Sequence, residues 1–347
     1  MAEFFDLLLS RYTFLTTIEK MLLRDVCGNA QTLMELDNTD ISRIIGRRPL
    51  IRSWSKEKAQ SEAEKAGEIL GGGRIKCLFF HEPDYPAQLG AIYDPPFLLY
   101  YRGSLPDWNR PLAAVVGTRL ATGIGIDAAF ELGFEFGLND IRVVSGLALG
   151  IDSAAHSGNT AAGEGSVAVL GCGADRIYPA SNRGVAQALL ENGGLILSEY
   201  PPAAEVRRFN FPERNRIISG LSRAVVVVEA PGKSGALITA DFALEQGRDL
   251  FVHTAALRSP GNRSRVERLM FDGAPLINKA EDVLSEWGIS AQRIGGTIAE
   301  QEAAMSVKEA GNLLADNMYK ELNGYYIKFN GNYIRRACYE SSYSINS

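Results

Sequence analysis

From Ala113 onward the chain repeats one pattern: a short continuous apolar run, a Gly, Ser or Glu, then a stretch of helical periodicity. The runs are Ala113–Val116, Arg142–Ser145, Ser166–Leu170, Leu195–Leu197, Ala224–Val228 and Leu250–Val252, with helical stretches such as Gly125–Phe136 between them. A strand with one wet face alternates apolar and polar residues. A strand without that alternation is buried on both faces, the condition of parallel strands covered by helices. Val225-Val226-Val227-Val228 is the strongest such run. The pattern predicts an α/β protein with a doubly wound, mostly parallel sheet. Such sheets bind ligands beyond the C-terminal ends of their strands, and there the glycines of this chain collect.

The flanks read differently. Leu7, Leu8, Leu9, Phe14, Ile18, Leu22 and Leu23 recur at helical spacings. Asn38-Thr39-Asp40 is placed to cap a helix over Ile41–Ile45 that stops at Gly46. Gly71-Gly72-Gly73 marks a boundary, so residues 1–75 are expected to form a small helical domain and 76–290 the α/β domain. Within the latter, residues 76–112 carry Pro83, Pro86, Pro95 and Pro96 before the strand-like Phe97–Tyr101, and read as an extended connector. Residues 291–347 include the linker-like Gly295-Gly296 and a helical stretch near Gln301–Leu322, and end in a Tyr-rich extension.

Composition removes several classes. The chain has 347 residues, 46% hydrophobic and 22% charged, which a folded core requires and a disordered chain lacks. Cys27, Cys77, Cys172 and Cys338 form no CxxC pair and the three histidines are scattered, so no metal site is expected and a reducing compartment fits. No apolar run reaches transmembrane length and no leader pattern opens the chain, which leads us to expect a cytoplasmic protein. Net charge is −5, so any nucleic-acid contact must come from a local basic patch.

The strand-end loops carry the candidate chemistry. Gly117-Thr118-Arg119 offers a tight turn, a hydroxyl and a planar cation suited to a phosphate, beside a helix N-terminus; it is also what a plain strand–helix turn looks like. Ser145-Gly146 with Gly150 permits close approach by a ligand, but lacks the acid that a dinucleotide site places near the strand end. Asp152 and His156 share a helix face, as a ligand pair or as a helix cap beside a packed ring. Gly171-Cys172-Gly173 is a third glycine loop, its thiol better suited to burial than to nucleophilic attack. Lys233-Ser234-Gly235 follows the best strand, but Val227 stands where a P-loop needs glycine, leaving only an anion site at a helix start. Arg207–Arg216 holds four arginines, one acid and the rings of Phe209 and Phe211. Arginines on phosphates and rings on bases are the chemistry of single-strand binding.

In order along the chain, Tyr85-Pro86, Asp94-Pro95-Pro96, Tyr101-Arg102-Gly103, Gly117-Thr118-Arg119, Ser145-Gly146 with Gly150-Ile151-Asp152, Gly171-Cys172-Gly173 with Tyr178-Pro179, Phe211-Pro212 with Arg214-Asn215-Arg216, Val228-Glu229-Ala230 and Ser234-Gly235 resemble the DNA-processing protein A family, also called Smf. The resemblance implies an extended Rossmann-like domain with a SAM-like N-terminal domain. It also implies a dimer in the bacterial cytoplasm that protects single-stranded DNA and loads the recombinase RecA during natural transformation, without catalysis or cofactor. By the same resemblance Gly117, Thr118, Arg119, Ser145, Gly146, Gly171, Gly173, Lys233, Ser234 and Gly235 would form phosphate pockets. Arg214, Asn215 and Arg216 would line the DNA path, with Phe211 near a base. The chain departs from the pattern at Thr118, where Ser is commoner, and at His253-Thr254-Ala255, where Val-Pro-Gly is usual. Its C-terminal stretch is short for a winged helix.

An enzyme reading stands beside this one. Pro231-Gly232-Lys233-Ser234-Gly235-Ala236 resembles the loop of nucleoside-monophosphate phosphoribohydrolases of the lysine-decarboxylase-like type. Lys233 and Ala236 replace its glycine and threonine, and the first acid in the following helix is Asp241.

Overall fold

In a computed structural model of the chain, the described residues are 4–51, 54–231, 234–258, 263–291, 326–329 and 332–335. The N-terminal helices are α1 (Phe4–Ser10), α2 (Thr17–Cys27), α3 (Ala30–Glu35), α4 (Asn38–Ile45) and α5 (Lys56–Gly71). Then follow β1 (Lys76–Phe79), α6 (Ala87–Gly90), β2 (Leu98–Gly103), β3 (Leu112–Gly117), α7 (Gly123–Leu138), β4 (Arg142–Ser145), α8 (Ile151–Ala161), β5 (Val167–Leu170), α9 (Arg183–Glu191) and β6 (Leu195–Ser198). The domain continues through α10 (Asn210–Leu221), β7 (Ala224–Glu229), α11 (Gly235–Glu245), β8 (Asp249–His253), α12 (Arg263–Phe271), β9 (Leu276–Ile277) and α13 (Ala280–Glu286). Last, β10 (Tyr326–Phe329) and β11 (Asn332–Arg335) pair as an antiparallel hairpin; the helical stretch expected near Gln301–Leu322 lies outside the described residues.

The large sheet has the order β1-β2-β6-β5-β4-β3-β7-β8-β9, parallel from β6 to β9. It is the doubly wound, Rossmann-like sheet that the apolar runs predict, covered by helices on both faces. Successive residues of one strand serve opposite cores. Val225 and Val227 of β7 join Leu112, Ala114 and Val116 of β3 in one cluster; Val226 and Val228 join Ala113 and Val115 in the other. That division is why the strand sequence shows no polar alternation.

The stretch read as a connector is part of the sheet. β2 pairs antiparallel with β6 through Tyr100↔Ser198 and Tyr101↔Leu197, and β1 pairs antiparallel with β2. The prolines fall between these strands, where no ladder hydrogen bond is required of them. The N-terminal helices pack on this extension, and one cluster contains Leu8, Tyr12 and Leu23 together with Phe79, Phe97 and Tyr100. The cap of α4 is Asp37, one residue earlier than expected; its carboxylate accepts from the amides of Thr39 and Asp40. The helix stops, as expected, at Gly46. Among the described residues no helix is long and apolar enough to cross a membrane.

Helices α7 and α8 lie backbone to backbone. A Cβ on Gly158 would sit 2.0 Å from the carbonyl oxygen of Phe130, and one on Gly133 would sit 2.2 Å from that of Ala155. Gly158→Ala is therefore expected to cost about 1–3 kcal/mol or more by forcing the two backbones apart. Gly123→Ala, in open space at the first turn of α7, should be neutral or stabilising. Urea denaturation of the two variants checks this; equal midpoints would mean that the close helix contact is not limiting.

Candidate nucleic-acid interface

The strand order reverses between β3 and β7, because β3 leads through α7 to β4 on one side while β7 lies on the other. Helices leave the two strands on opposite faces, and a crevice opens beyond their ends. The register slips there: Val116 pairs with Val227, but Gly117 with Glu229. The amide of Thr118 donates to the carbonyl of Glu229 at 2.8 Å, and the Glu229 carboxylate, fully buried, accepts from the amide and hydroxyl of Thr122 at the start of α7. Gly117 is required by space, since a Cβ would sit 2.3 Å from Ile151 Cγ1. The loop is thus tied down on both sides of Arg119.

Arg119 itself is exposed, with its guanidinium carbon 5.2 Å from the centre of the Phe211 ring. Tyr178 lies on the same platform, its ring 5.6 Å from that of Phe211. A Cβ on Gly171 would come within 2.9 Å of Phe211, so this glycine makes room for the ring. Asn210 fixes the start of α10 by donating to the carbonyl of Gly171 at 3.0 Å. The platform borders a cavity of about 810 Å³ lined also by Thr118, Arg208, Arg214, Ser234 and Thr239. Arg119 and Arg208 are exposed and have no ion-pair partner among the described residues. Against three lining arginines stands one lining carboxylate, Asp152.

Behind this surface sits a buried polar layer. Asp152 accepts from the amides of Gly146 and Ala148 at 3.0 and 3.4 Å, fixing the loop before α8. Burial raises its pKa, and the nearby Arg214 opposes that shift. Arg214 is only 4% exposed; its Nη1 donates to the carbonyl of Val169, and its Nε has no partner among the described residues. A Cβ on Gly146 would lie 2.5 Å from the Arg214 guanidinium, so Gly146 is the seat of this arginine. Burial pulls the Arg214 pKa down to about 10, which leaves it charged at neutral pH. His156 is fully buried, with Nδ1 2.8 Å from Ser166 Oγ. Asp152 and His156 are thus a loop clasp and a packed ring in one buried layer.

The remaining candidates divide. Ser145 is buried and donates its hydroxyl to the carbonyl of Val115 at 2.7 Å, which ties β4 to β3. Ser234 caps α11 by accepting from the amide of Ala236, and Asn215 donates to the carbonyl of Gly235 at 3.2 Å, so all three border the cavity from its far side. Lys233 lies outside the described residues. Gly173 packs against Asp175 and the carbonyl of Pro201, away from the cavity. Arg216 does not share the crevice with Arg214. It donates to both oxygens of Glu199 at 2.9 and 2.7 Å and to Asp94, on the other side of α10. Two helix residues that are i, i+2 do not share a face. Arg208, one of the four arginines of the basic stretch, joins the site, and so does Tyr178, to which the sequence assigned no contact. Tyr178 sits in a glycine loop distant in sequence, and only the fold brings its ring to Phe211.

These features define an α/β protein of Rossmann type with a basic, aromatic-edged cavity at the topological switch point. The family model described as DNA recombination-mediator protein A matches residues 76–288. DNA processing protein DprA of Streptococcus pneumoniae is 42% identical over 205 residues, 58% of this chain and 71% of that protein. Protein Smf of Borreliella burgdorferi is 32% identical over 255 residues, 74% of this chain and 80% of its own length. The solved structure of the Streptococcus pneumoniae protein covers 80% of this chain and 95% of its own at a TM-score of 0.63 and 32% identity. That of the Helicobacter pylori DNA processing protein A, which describes a single-stranded DNA binding mode, covers 62% and 95% at a TM-score of 0.55 and 29% identity. The chain belongs to the DNA recombination-mediator protein A family, and its role is in DNA processing and recombination.

Burial and the charge of Arg214 push the pKa of His156 down from 6.5 to about 3. Between those values the unfolded chain binds the proton and the folded one does not. The stability that neutral His156 contributes is full above pH 6.5 and is lost as pH falls toward 3. His156→Gln should flatten the loss of stability across that window in denaturation curves; an unchanged slope would place the acid sensitivity elsewhere.

Proposed function

We propose that the chain binds single-stranded DNA along the switch-point cavity, protects it, and hands it to the recombinase RecA, as a non-catalytic homodimer in the cytoplasm. The observation that carries this reading is Arg119, an unpaired exposed arginine stacked on Phe211 beside Arg208 and Tyr178. A cation laid on a ring presents charge to a phosphate and an edge of the platform to a base, and neither contact depends on sequence. The single-stranded DNA binding mode described for the Helicobacter pylori relative supports it. In this reading Gly117, Thr118, Arg119 and Phe211 meet the DNA with Arg208 and Tyr178, and Ser234, Gly235 and Asn215 border its path. Arg214 acts from beneath as a fixed positive charge and a brace for the Gly146 loop. Gly171 and Gly146 serve by making room. The cavity's carboxylate, Asp152, is held by two amides beside Arg214, which supports the non-catalytic reading.

Fluorescence anisotropy with a labelled single strand at two salt concentrations tests the proposal. We expect salt-sensitive binding that duplex displaces poorly. Arg119→Ala should weaken it about tenfold and lower the salt slope by roughly 1, as loss of one phosphate contact does. Phe211→Ala should weaken it by about 1–3 kcal/mol with the salt slope unchanged, as loss of a stacked base does. Absence of binding at low salt, or indifference to both substitutions, overturns the reading. Release of free base from a nucleoside monophosphate would put catalysis in its place.

A further inference from the structure

A second cavity, of about 780 Å³, lies on the other side of α10, between the N-terminal helices, the start of β2 and the exit of β6. Its walls include Arg11 and Lys20 from the helical segment, Phe97 and Tyr93 from the segment before β2, and Tyr200 and Glu213 from the β6–α10 side. Nothing in the proposed DNA path uses it.

Three cations (Arg11, Lys20 and Arg216) and three carboxylates (Asp94, Glu199 and Glu213) line this cavity, but they are not paired one to one. Arg11 is 8% exposed and Lys20 9% exposed. Arg11 donates from Nη2 to the hydroxyl of Tyr100, but its Nε is buried without a partner among the described residues. Lys20 has its ammonium 5.5 Å from the centre of the Phe97 ring, and no carboxylate among the described residues lies within ion-pair distance of it. Glu199 and Asp94 act on Lys20 from farther away, and both are already bonded to Arg216. Burial, with Arg11 beside it, pulls the Lys20 pKa down to about 8, so it is still charged at neutral pH. Two neighbouring buried cations with no carboxylate in ion-pair contact are more favourably held when an anion meets them directly. The volume is that of a small-molecule pocket, and the rings of Tyr93 and Tyr200 suit a flat group. One oxygen of Glu213 takes the Tyr200 hydroxyl at 3.3 Å, and the other has no hydrogen-bond donor among the described residues, which leaves it for a group such as an exocyclic amine.

We propose that this cavity is a second ligand site that takes a nucleoside monophosphate, its phosphate held between Arg11 and Lys20 and its base against the aromatic wall. The site is separate from the DNA path and stands or falls independently of it.

Titration calorimetry of the full chain with adenosine monophosphate, adenosine and inorganic phosphate tests this, with Trp54 fluorescence as a second readout because its indole N–H donates to the carbonyl of Arg11 at 2.8 Å. We expect the monophosphate to bind, adenosine to bind at least about tenfold more weakly, and phosphate alone to bind more weakly than the monophosphate. Lys20→Met should lower monophosphate affinity at least about tenfold while raising the thermal midpoint of the free protein, since it removes an uncompensated buried charge. Lys20→Gln should lower affinity in the same way. A cooperative thermal transition reports that both variants fold, single-stranded DNA binding should be unchanged in both, and Arg119→Ala should leave monophosphate binding intact. The proposal is overturned by absence of monophosphate binding at millimolar concentration, or by phosphate binding as tightly as the nucleotide. Loss of binding in Arg119→Ala but not in Lys20→Met would assign the nucleotide to the switch-point cavity and overturn it too. A lowered midpoint in Lys20→Met would mean that the protein itself compensates Lys20, and would remove the argument for a ligand.

Discussion

The pairing of β3 with β7 is the constraint from which the rest follows. Two parallel strands that neighbour each other but send their helices to opposite faces must leave a gap beyond their ends. The slip from Val116↔Val227 to Gly117↔Glu229 turns the backbone into that gap, and Glu229 then holds Thr122 at the start of α7. Arg119 has nowhere to go but the edge of the crevice. The loop on either side of it is tied by hydrogen bonds to Glu229.

A surface cation is useful only if its own protein does not neutralise it. Arg119 meets this condition because its nearest partner is a ring, which attracts charge without cancelling it. Arg214 meets it only in part: it is sunk beneath the cavity floor, and the nearby Asp152 carboxylate offsets its charge. Arg216 does not meet it, since Glu199 and Asp94 take its fork. Three arginines within one site motif and its partner loop therefore have three physical roles, set by burial and by what each touches.

Helix α10 separates the two cavities and serves both. Phe211, Arg214, Asn215 and Ile218 recur at helical spacing on the face toward the switch point, and Glu213 and Arg216 lie on the face toward the N-terminal helices. The antiparallel extension by β2 and β1 creates the second cavity, because it gives the N-terminal helices a surface to pack on beside the exit of β6. A single shift in the rotation of α10 would move residues of both cavities together.

The layers of this protein, and the strand ends at which its cavity opens, are legible in the amino-acid sequence. Burial on both faces leaves its mark residue by residue in runs such as Val225–Val228, and close approach leaves its mark in glycines such as Gly117 and Gly146. Those are local demands, written where they act. The tertiary structure alone decided which strands neighbour each other, that the proline-rich stretch joins the sheet rather than bridging to it, and which way each arginine of Arg207–Arg216 faces. It also decided that Gly146 and Gly171 make room for Arg214 and Phe211. The reason is that each of these depends on contacts between residues far apart in the chain, as Tyr178 with Phe211 or Lys20 with Phe97. A motif read in one segment has no access to the partner that gives it its role.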